Sequence, residues 1–382
     1  MDNYQKGTNE MNTVLTASAK IHDLTVAAKS VFIERDDCID ALGTCLCAGE
    51  HLMMLGKPGL AKSAIAHWMS TALSCNYFWI VLNPDSMRED IVGPISLKSL
   101  NEDRWDRKWS AMALADIAMF DEVGKASNQV VNMLLNAFEE RKFPTPDGDK
   151  LLPLHVAIGA SNETLDGDAA AMWDRFTVRL VVQPIQNLSA FREMLCSDVE
   201  SVPSFPVSRD ELTALRNQAK KMALHAPASV LDTLTEMKST YGARFDNYIS
   251  DRRWRKILRV CAGHALLHGR TAIENEDLIV AKWMLWENVD PQLEEVNNVA
   301  AWVKEFAERG LSELICFEAL VKELLTESQQ VKDQNHAADI IFKCRKLGNQ
   351  VKKIRPTTNL ERWDKIRTLT RTVEETVMNG VG

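Results

Sequence analysis

The segment Gly56-Lys57-Pro58-Gly59-Leu60-Ala61-Lys62-Ser63 follows a short apolar block, His51 to Leu55, and opens a helical pattern running from Ser63 to Leu73. Strand, glycine-bearing loop and helix in that order form the layout of a phosphate loop. There, backbone N–H groups turn inward around phosphates and the helix N-terminus adds favourable partial charge. In this reading Lys62 reaches the β- and γ-phosphates, and the Ser63 hydroxyl holds Mg²⁺. The general pattern GxxxxGK[ST] carries glycine where this chain has Ala61, the smallest replacement available. That departure leaves open an ordinary strand-to-helix turn with an exposed lysine.

The sequence around this loop favours the first reading. Further short apolar runs follow at Phe78 to Leu82, Ile117 to Phe120, His155 to Ala160 and Thr177 to Val182, with helical patterns between several of them, such as Asn128 to Arg141. Continuous apolar runs suit strands buried on both faces, so the expectation is an α/β fold with a parallel sheet and crossover helices. The run ending at Phe120 leads into Asp121 and Glu122, which places two acids at the carboxyl edge of the sheet beside the loop. Asp121 can hold the Mg²⁺ hydration shell and Glu122 can take a proton from an attacking water. Asn162, after the third run, can orient that water or simply make a turn. Residues 94–109, and 142–156 around Asp147-Gly148, are expected to form hairpins.

After Pro184 the strand-like runs stop. Helical patterns occupy about 209–223, 227–239, 251–268, 275–288, 291–309, 311–329, 333–350 and 358–378, and SVPSFPVSRD (201–210) reads as a linker. The domain expectation is a flexible N-terminal arm over 1–20, a nucleotide-binding α/β unit over 21–190, an all-α lid over 191–290 and a C-terminal helical unit over 291–382. In that last unit Trp302, Phe306, Leu314 and Phe317 read as core. The chain has 382 residues, with 45 Lys and Arg against 53 Asp and Glu, so no global basic field attracts nucleic acid. Its eight cysteines show no CxxC pairing and read as reduced thiols instead of zinc ligands. Neither a signal-peptide run nor a stretch of about 18 apolar residues occurs, so the protein is expected to be soluble and cytoplasmic.

GKPGLAKS, MFDEV, GASNE, WDRFTVRL and SDRRWRK, in that order, resemble the MoxR branch of the AAA+ ATPases, most closely its RavA group, over roughly residues 20–290. RavA-type chains carry alanine at the place of Ala61, and IVGPISL and the pair Trp286-Glu287 are weaker matches. The resemblance implies a ring, usually hexameric, that hydrolyses ATP with Mg²⁺ between subunits. Arg175 matches the family's arginine finger, acting on the next subunit's site, with Arg179 the nearby competitor. Arg252 matches the lid sensor that reads the γ-phosphate within its own subunit, with Arg253 the alternative. The two hairpins match inserts that line the ring pore, where Trp105 and Trp109 either touch a partner or pack their own hairpin.

The family is commonly paired with a separate von Willebrand factor A (vWA) domain protein, so the implied role is chaperone-like remodelling of a protein client. RavA-like chains carry a β-rich insert that is missing from residues 291–382. The alternative from another class is a nucleic-acid-directed motor with a pore built from Lys98, Arg104, Arg107 and Lys108.

Overall fold

A computed structural model describes residues 2–101, 107–145, 148–163, 170–289, 292–309, 311–328, 334–353 and 360–380. Two helices, α1 (Asp2–Val31) and α2 (Asp36–Ala48), precede β1 (Leu52–Leu55), the phosphate loop and α3 (Lys62–Ala72). β2 (Tyr77–Val81), the short helices α4 (Arg88–Val92) and α5 (Leu97–Leu100), β3 (Ile117–Asp121) and α6 (Asn128–Glu140) follow. Next come β4 (Lys142–Thr145), β5 (Gly148–Leu151), β6 (Val156–Ser161), α7 (Ala170–Trp173), β7 (Val178–Val181) and α8 (Leu188–Met194).

Five strands make one parallel sheet in the order β2-β3-β6-β1-β7. All six residues of β6 and all four of β1 are buried, which is why the sequence shows unbroken apolar runs there and no alternation. Helices cover the sheet through contacts such as the rings of Phe120, Phe138 and Phe176, whose centroids lie 5.3 Å apart in each successive pair.

β4 and β5 form the antiparallel hairpin expected after residue 142, although Asp147 of its turn lies outside the described residues. In the other expected hairpin an antiparallel bridge joins Ile95 to Arg107, and the helix α5 replaces the first strand. The Arg107 guanidinium donates to the Gly93 carbonyl, which makes it part of the base of that insert. Trp105 and Arg104 lie outside the described residues, while Trp109 packs against the main core with Lys150 over its ring at 5.4 Å. That contact agrees with the packing alternative for Trp109.

Residues 1–20, expected as a loose arm, are helical from Asp2 onward. Val14, Ala17, Ile21, Leu24 and Ala28 recur every three or four residues and are buried, and α1 packs against α2 and against the helices Arg209–Leu224 and Asp251–Leu267. Small residues conceal that stripe, since Ala17 and Ser18 carry little apolar signal yet sit in the interface, where the Ser18 hydroxyl donates to the Leu266 carbonyl.

Past the sheet, α9 (Arg209–Leu224), α10 (Ala228–Arg244), α11 (Asp251–Leu267), a 3-10 segment (Asn275–Trp283) and α12 (Glu294–Ala307) form the lid. The linker into it is tied to α3, because the amides of Phe205 and Val207 donate to the carbonyls of Ala72 and Leu73 at 2.7 and 3.0 Å. α12 lies in the stretch read from the sequence as the C-terminal unit, yet Trp302 packs against Tyr241 and Phe245 of the lid, with Phe306 buried beside Trp302. α13 (Leu311–Ser328), α14 (Gln334–Lys353) and α15 (Leu360–Gly380) pack on one another around a separate core that includes Ile340, Cys344 and Trp363. Phe317 joins that core, and the side chain of Leu314 lies outside the described residues. No helix of the described residues is long and apolar enough to cross a membrane.

Candidate nucleotide site

The parallel sheet brings three strand tips to one edge. β1 ends at Leu55 and feeds the phosphate loop, β3 ends at Asp121, and β6 lies between them and leads to Asn162. Gly56 adopts φ 148°, and a side chain there would meet the Val182 carbonyl at 2.5 Å, so only glycine lets the loop leave the sheet at this point. Ala61, immediately before α3, adopts φ 65° and ψ 16°. This left-handed conformation is the physical reason the general pattern asks for glycine at its position.

Lys62 lies inside the loop it follows. Its ammonium donates to the carbonyls of Gly56 and Lys57, the latter at 3.0 Å, and to Asn162 Oδ1 at 3.4 Å. Burial lowers the Lys62 pKa, while Asp121 and Glu122 pull it back toward the charged form. The Ser63 hydroxyl donates to Asp121 Oδ2 at 2.6 Å, so two hard oxygen donors of the kind Mg²⁺ takes stand together at the helix start. The donor set fits a phosphate-bound Mg²⁺ held by Ser63 and Asp121. Asn162 Nδ2 donates to Glu122 Oε1 at 2.8 Å, and Lys125 pairs with Glu122 Oε2 at 3.2 Å. Asn162 therefore links Lys62 to Glu122, a connection that follows from β6 lying between β1 and β3.

Two residues with no motif around them join this edge. The Arg35 Nε donates to the Leu60 carbonyl at 3.3 Å, and Glu34 accepts from the amides of Gln186 and Asn187 at 2.8 and 3.1 Å. Together with Cys38 and Leu180 to Val182 they line a cavity of about 190 Å³ next to the loop. Nothing in the sequence around them distinguishes them from an ordinary interhelical turn.

The arginines lie elsewhere. β7 runs parallel to β1, so Arg175, which precedes it, sits at the amino edge of the sheet, opposite the phosphate loop. Arg175 pairs with Glu139 at 3.3 Å, and Arg252, at the start of α11, pairs with the same carboxylate. The placement of Arg252 within its own subunit's phosphate site is therefore corrected, because α11 begins at the amino edge and is fixed there. The fixing groups are its neighbours. Arg253 pairs with Asp174 at 2.7 Å and with Glu287, and Arg179 reaches Glu287 at 3.2 Å while lying over the Trp173 ring at 4.2 Å. The side chains of Arg179 and Arg253 are 0% and 6% exposed against 27% and 43% for Arg175 and Arg252. Only the second pair can meet another molecule.

The comparisons agree with this architecture. Residues 19–213 match the family model described as the MoxR domain in the MoxR-vWA-beta-propeller ternary systems, and residues 229–302 match an AAA lid domain. An uncharacterized protein of Methanocaldococcus jannaschii is 30% identical over 88% of this chain and 90% of its own length; a second is 31% identical over 68% and 70%. The chaperone MoxR1 of Mycobacterium tuberculosis is 23% identical over 44% of this chain and 40% of that protein. The crystal structure of a candidate ATPase from Cytophaga hutchinsonii superposes with a TM-score of 0.62 at 17% identity, covering 79% of this chain and 98% of that one. A parallel sheet with a phosphate loop and an attached helical lid defines an AAA+ module. The chain belongs to the MoxR family of AAA+ ATPases.

Proposed function

We propose that this protein is an ATP-hydrolysing ring ATPase whose active sites are completed between neighbouring copies. The carrying observation is the split of the charged groups: Lys62, Ser63, Asp121, Glu122 and Asn162 share one hydrogen-bonded network at the carboxyl edge, while the exposed Arg175 and Arg252 share Glu139 at the amino edge. Two faces of one chain that each hold half of a site favour a head-to-tail arrangement, which closes into a ring when the rotation allows.

In this reading the loop from Gly56 to Lys62 binds the triphosphate through its backbone N–H groups, and Lys62 neutralises the β- and γ-phosphates. Mg²⁺ held by Ser63 and Asp121 would supply charge neutralisation on the phosphate oxygens. Glu122 accepts the proton of the attacking water and Asn162 holds that carboxylate and the water in place. Arg175 and Arg252 of the neighbouring copy stabilise the charge that develops on the transferring group.

The work of the ring is remodelling of a protein client alongside a vWA-domain partner, in the cytoplasm. The description of the matched family, which names vWA and β-propeller proteins, supports that partner. Grouping with the RavA branch rests on the resemblance of GKPGLAKS, MFDEV, GASNE, WDRFTVRL and SDRRWRK, with Ala61 in its support.

Mixing inactive variants tests the shared site. Lys62→Ala removes nucleotide binding and Arg175→Ala removes turnover; in random equimolar rings about one interface in four pairs an intact loop with an intact arginine, so about a quarter of wild-type activity should return. Arg252→Ala mixed with Lys62→Ala should recover in the same way if Arg252 acts across the interface. Mixed rings that assemble without recovery, or normal hydrolysis by pure Arg175→Ala protein, would refute the composite site.

A further inference from the structure

A cavity of about 480 Å³ opens at the amino edge of the sheet, with Arg175, Arg252, Arg255, Lys256 and Arg259 on its wall. Of its three carboxylates, two are engaged with other cations. Glu50 is buried and pairs with Lys256 at 3.3 Å and Arg259 at 3.2 Å, and Asp174 pairs with Arg253 at 2.7 Å. The third, Glu139 in the last turn of α6, stands at the mouth with its side chain 35% exposed. One of its oxygens takes Arg175 and the other takes Arg252. Two guanidiniums divided between the two oxygens of one anion is also how they would grip two oxygens of a phosphoryl group.

We propose that Glu139 is a stand-in for the neighbouring copy's terminal phosphate, which displaces it from Arg175 and Arg252 when a nucleotide-loaded neighbour docks. The inference rests on the reading of those arginines as groups that act across the interface. A carboxylate in this place could help by holding the arginines ready, or hinder by occupying them. The structure favours the second, because Asp174 and Arg253, the sequence neighbours of Arg175 and Arg252, are themselves paired at 2.7 Å in a part-buried joint. That joint keeps the two arginines side by side without Glu139, so competition is the effect that remains. The pair is partly exposed and therefore held weakly, and a phosphoryl group of greater negative charge can replace it.

The test is steady-state ATP hydrolysis by the full chain across protein and ATP concentrations, comparing wild type with Glu139→Gln, Glu139→Asp and Arg175→Ala. Glu139→Gln keeps shape and removes charge. It should lower the protein concentration at half-maximal specific activity three- to tenfold, with kcat unchanged or raised, while Glu139→Asp stays near wild type. A fall of kcat in Glu139→Gln toward that of Arg175→Ala would make Glu139 a positioning residue and overturn the proposal, as would an unchanged concentration dependence. If Arg175→Ala itself hydrolyses normally, the composite-site reading fails and takes the stand-in with it. A wild-type unfolding midpoint for Glu139→Gln keeps these outcomes apart from misfolding.

Discussion

Replacing Glu287 by glutamine removes one negative charge from the joint between sheet and lid and leaves an acceptor oxygen in place. Glu287 compensates two guanidiniums at once, Arg179 at 3.2 Å and Arg253, and accepts from the Trp173 indole at 2.9 Å. Burial pushes the Arg179 pKa down to about 9, with the Arg253 charge adding to the effect, so this group is already strained toward its neutral form. Its other hydrogen-bond partners are neutral: the carbonyls of Trp173 at 2.7 Å and of Phe176 and Trp286 at 3.2 Å. Stripping one partner from a buried ion pair costs about 3–5 kcal/mol. Glu287 is itself a quarter exposed and Asp174 still serves Arg253, which discounts the expected loss to roughly 2–3 kcal/mol.

Urea unfolding followed by tryptophan fluorescence measures the loss, with Trp173 and Trp286, edge to face at 5.7 Å within the joint, among the chain's ten reporting tryptophans. Glu287→Ala should lose more than Glu287→Gln by the hydrogen bond to Trp173, about 1 kcal/mol. The double variant Arg179→Met with Glu287→Gln should lose less than the sum of the single changes by at least about 1 kcal/mol, because the charge being compensated is gone. A loss under about 0.5 kcal/mol for Glu287→Gln, or strict additivity in the double variant, would refute the claim that Glu287 neutralises this joint.

The buried imidazoles of His51 and His155 give an acid-side prediction. Burial holds each pKa down to about 3, whereas the unfolded chain takes up those protons near 6.5. Stability from these groups is therefore fully present above about pH 6.5 and is lost as pH falls toward 3, by a few kcal/mol per histidine. Unfolding free energies that stay flat between pH 7 and 5 would contradict it. At the phosphate loop, Ala61→Gly should relieve roughly 1 kcal/mol of left-handed strain and return about half of it as chain entropy. The variant should thus be about 0.5 kcal/mol more stable with ATP affinity retained; destabilisation in thermal unfolding would show that the loop does not hold φ 65° in solution.

Local chemistry made much of the site readable in advance. The loop from Gly56 to Ser63 announces itself because phosphate binding requires particular residues close together in sequence, and Asp121 and Glu122 do so because they end an apolar run. The helices expected over 209–223 and 251–268 agree with α9 and α11 to within one residue since each carries its own apolar stripe, whereas the helix expected over 275–288 is a 3-10 segment ending at Trp283 and that expected over 227–239 runs on to Arg244. Residues 1–20 escaped, because the side of α1 that is buried consists partly of Ala17 and Ser18, and their burial depends on α9 and α11 being there to cover them.

The four arginines mark the boundary between the two kinds of information. Apart from the family resemblance, which favours Arg175 and Arg252, nothing in the sequence separates Arg175 from Arg179 or Arg252 from Arg253. Their burial separates them, and burial is decided by Trp173, Trp286, Asp174 and Glu287, which come from widely spaced parts of the chain. In the same way the sequence alone determined that Lys62, Ser63, Asp121, Glu122 and Asn162 would gather at one edge, since they sit within a few residues of three strand ends. Only the tertiary structure decided that β6 would lie between β1 and β3, and that the exposed arginines would face away from their own loop, because strand order and helix docking are set by long-range packing that no local pattern encodes.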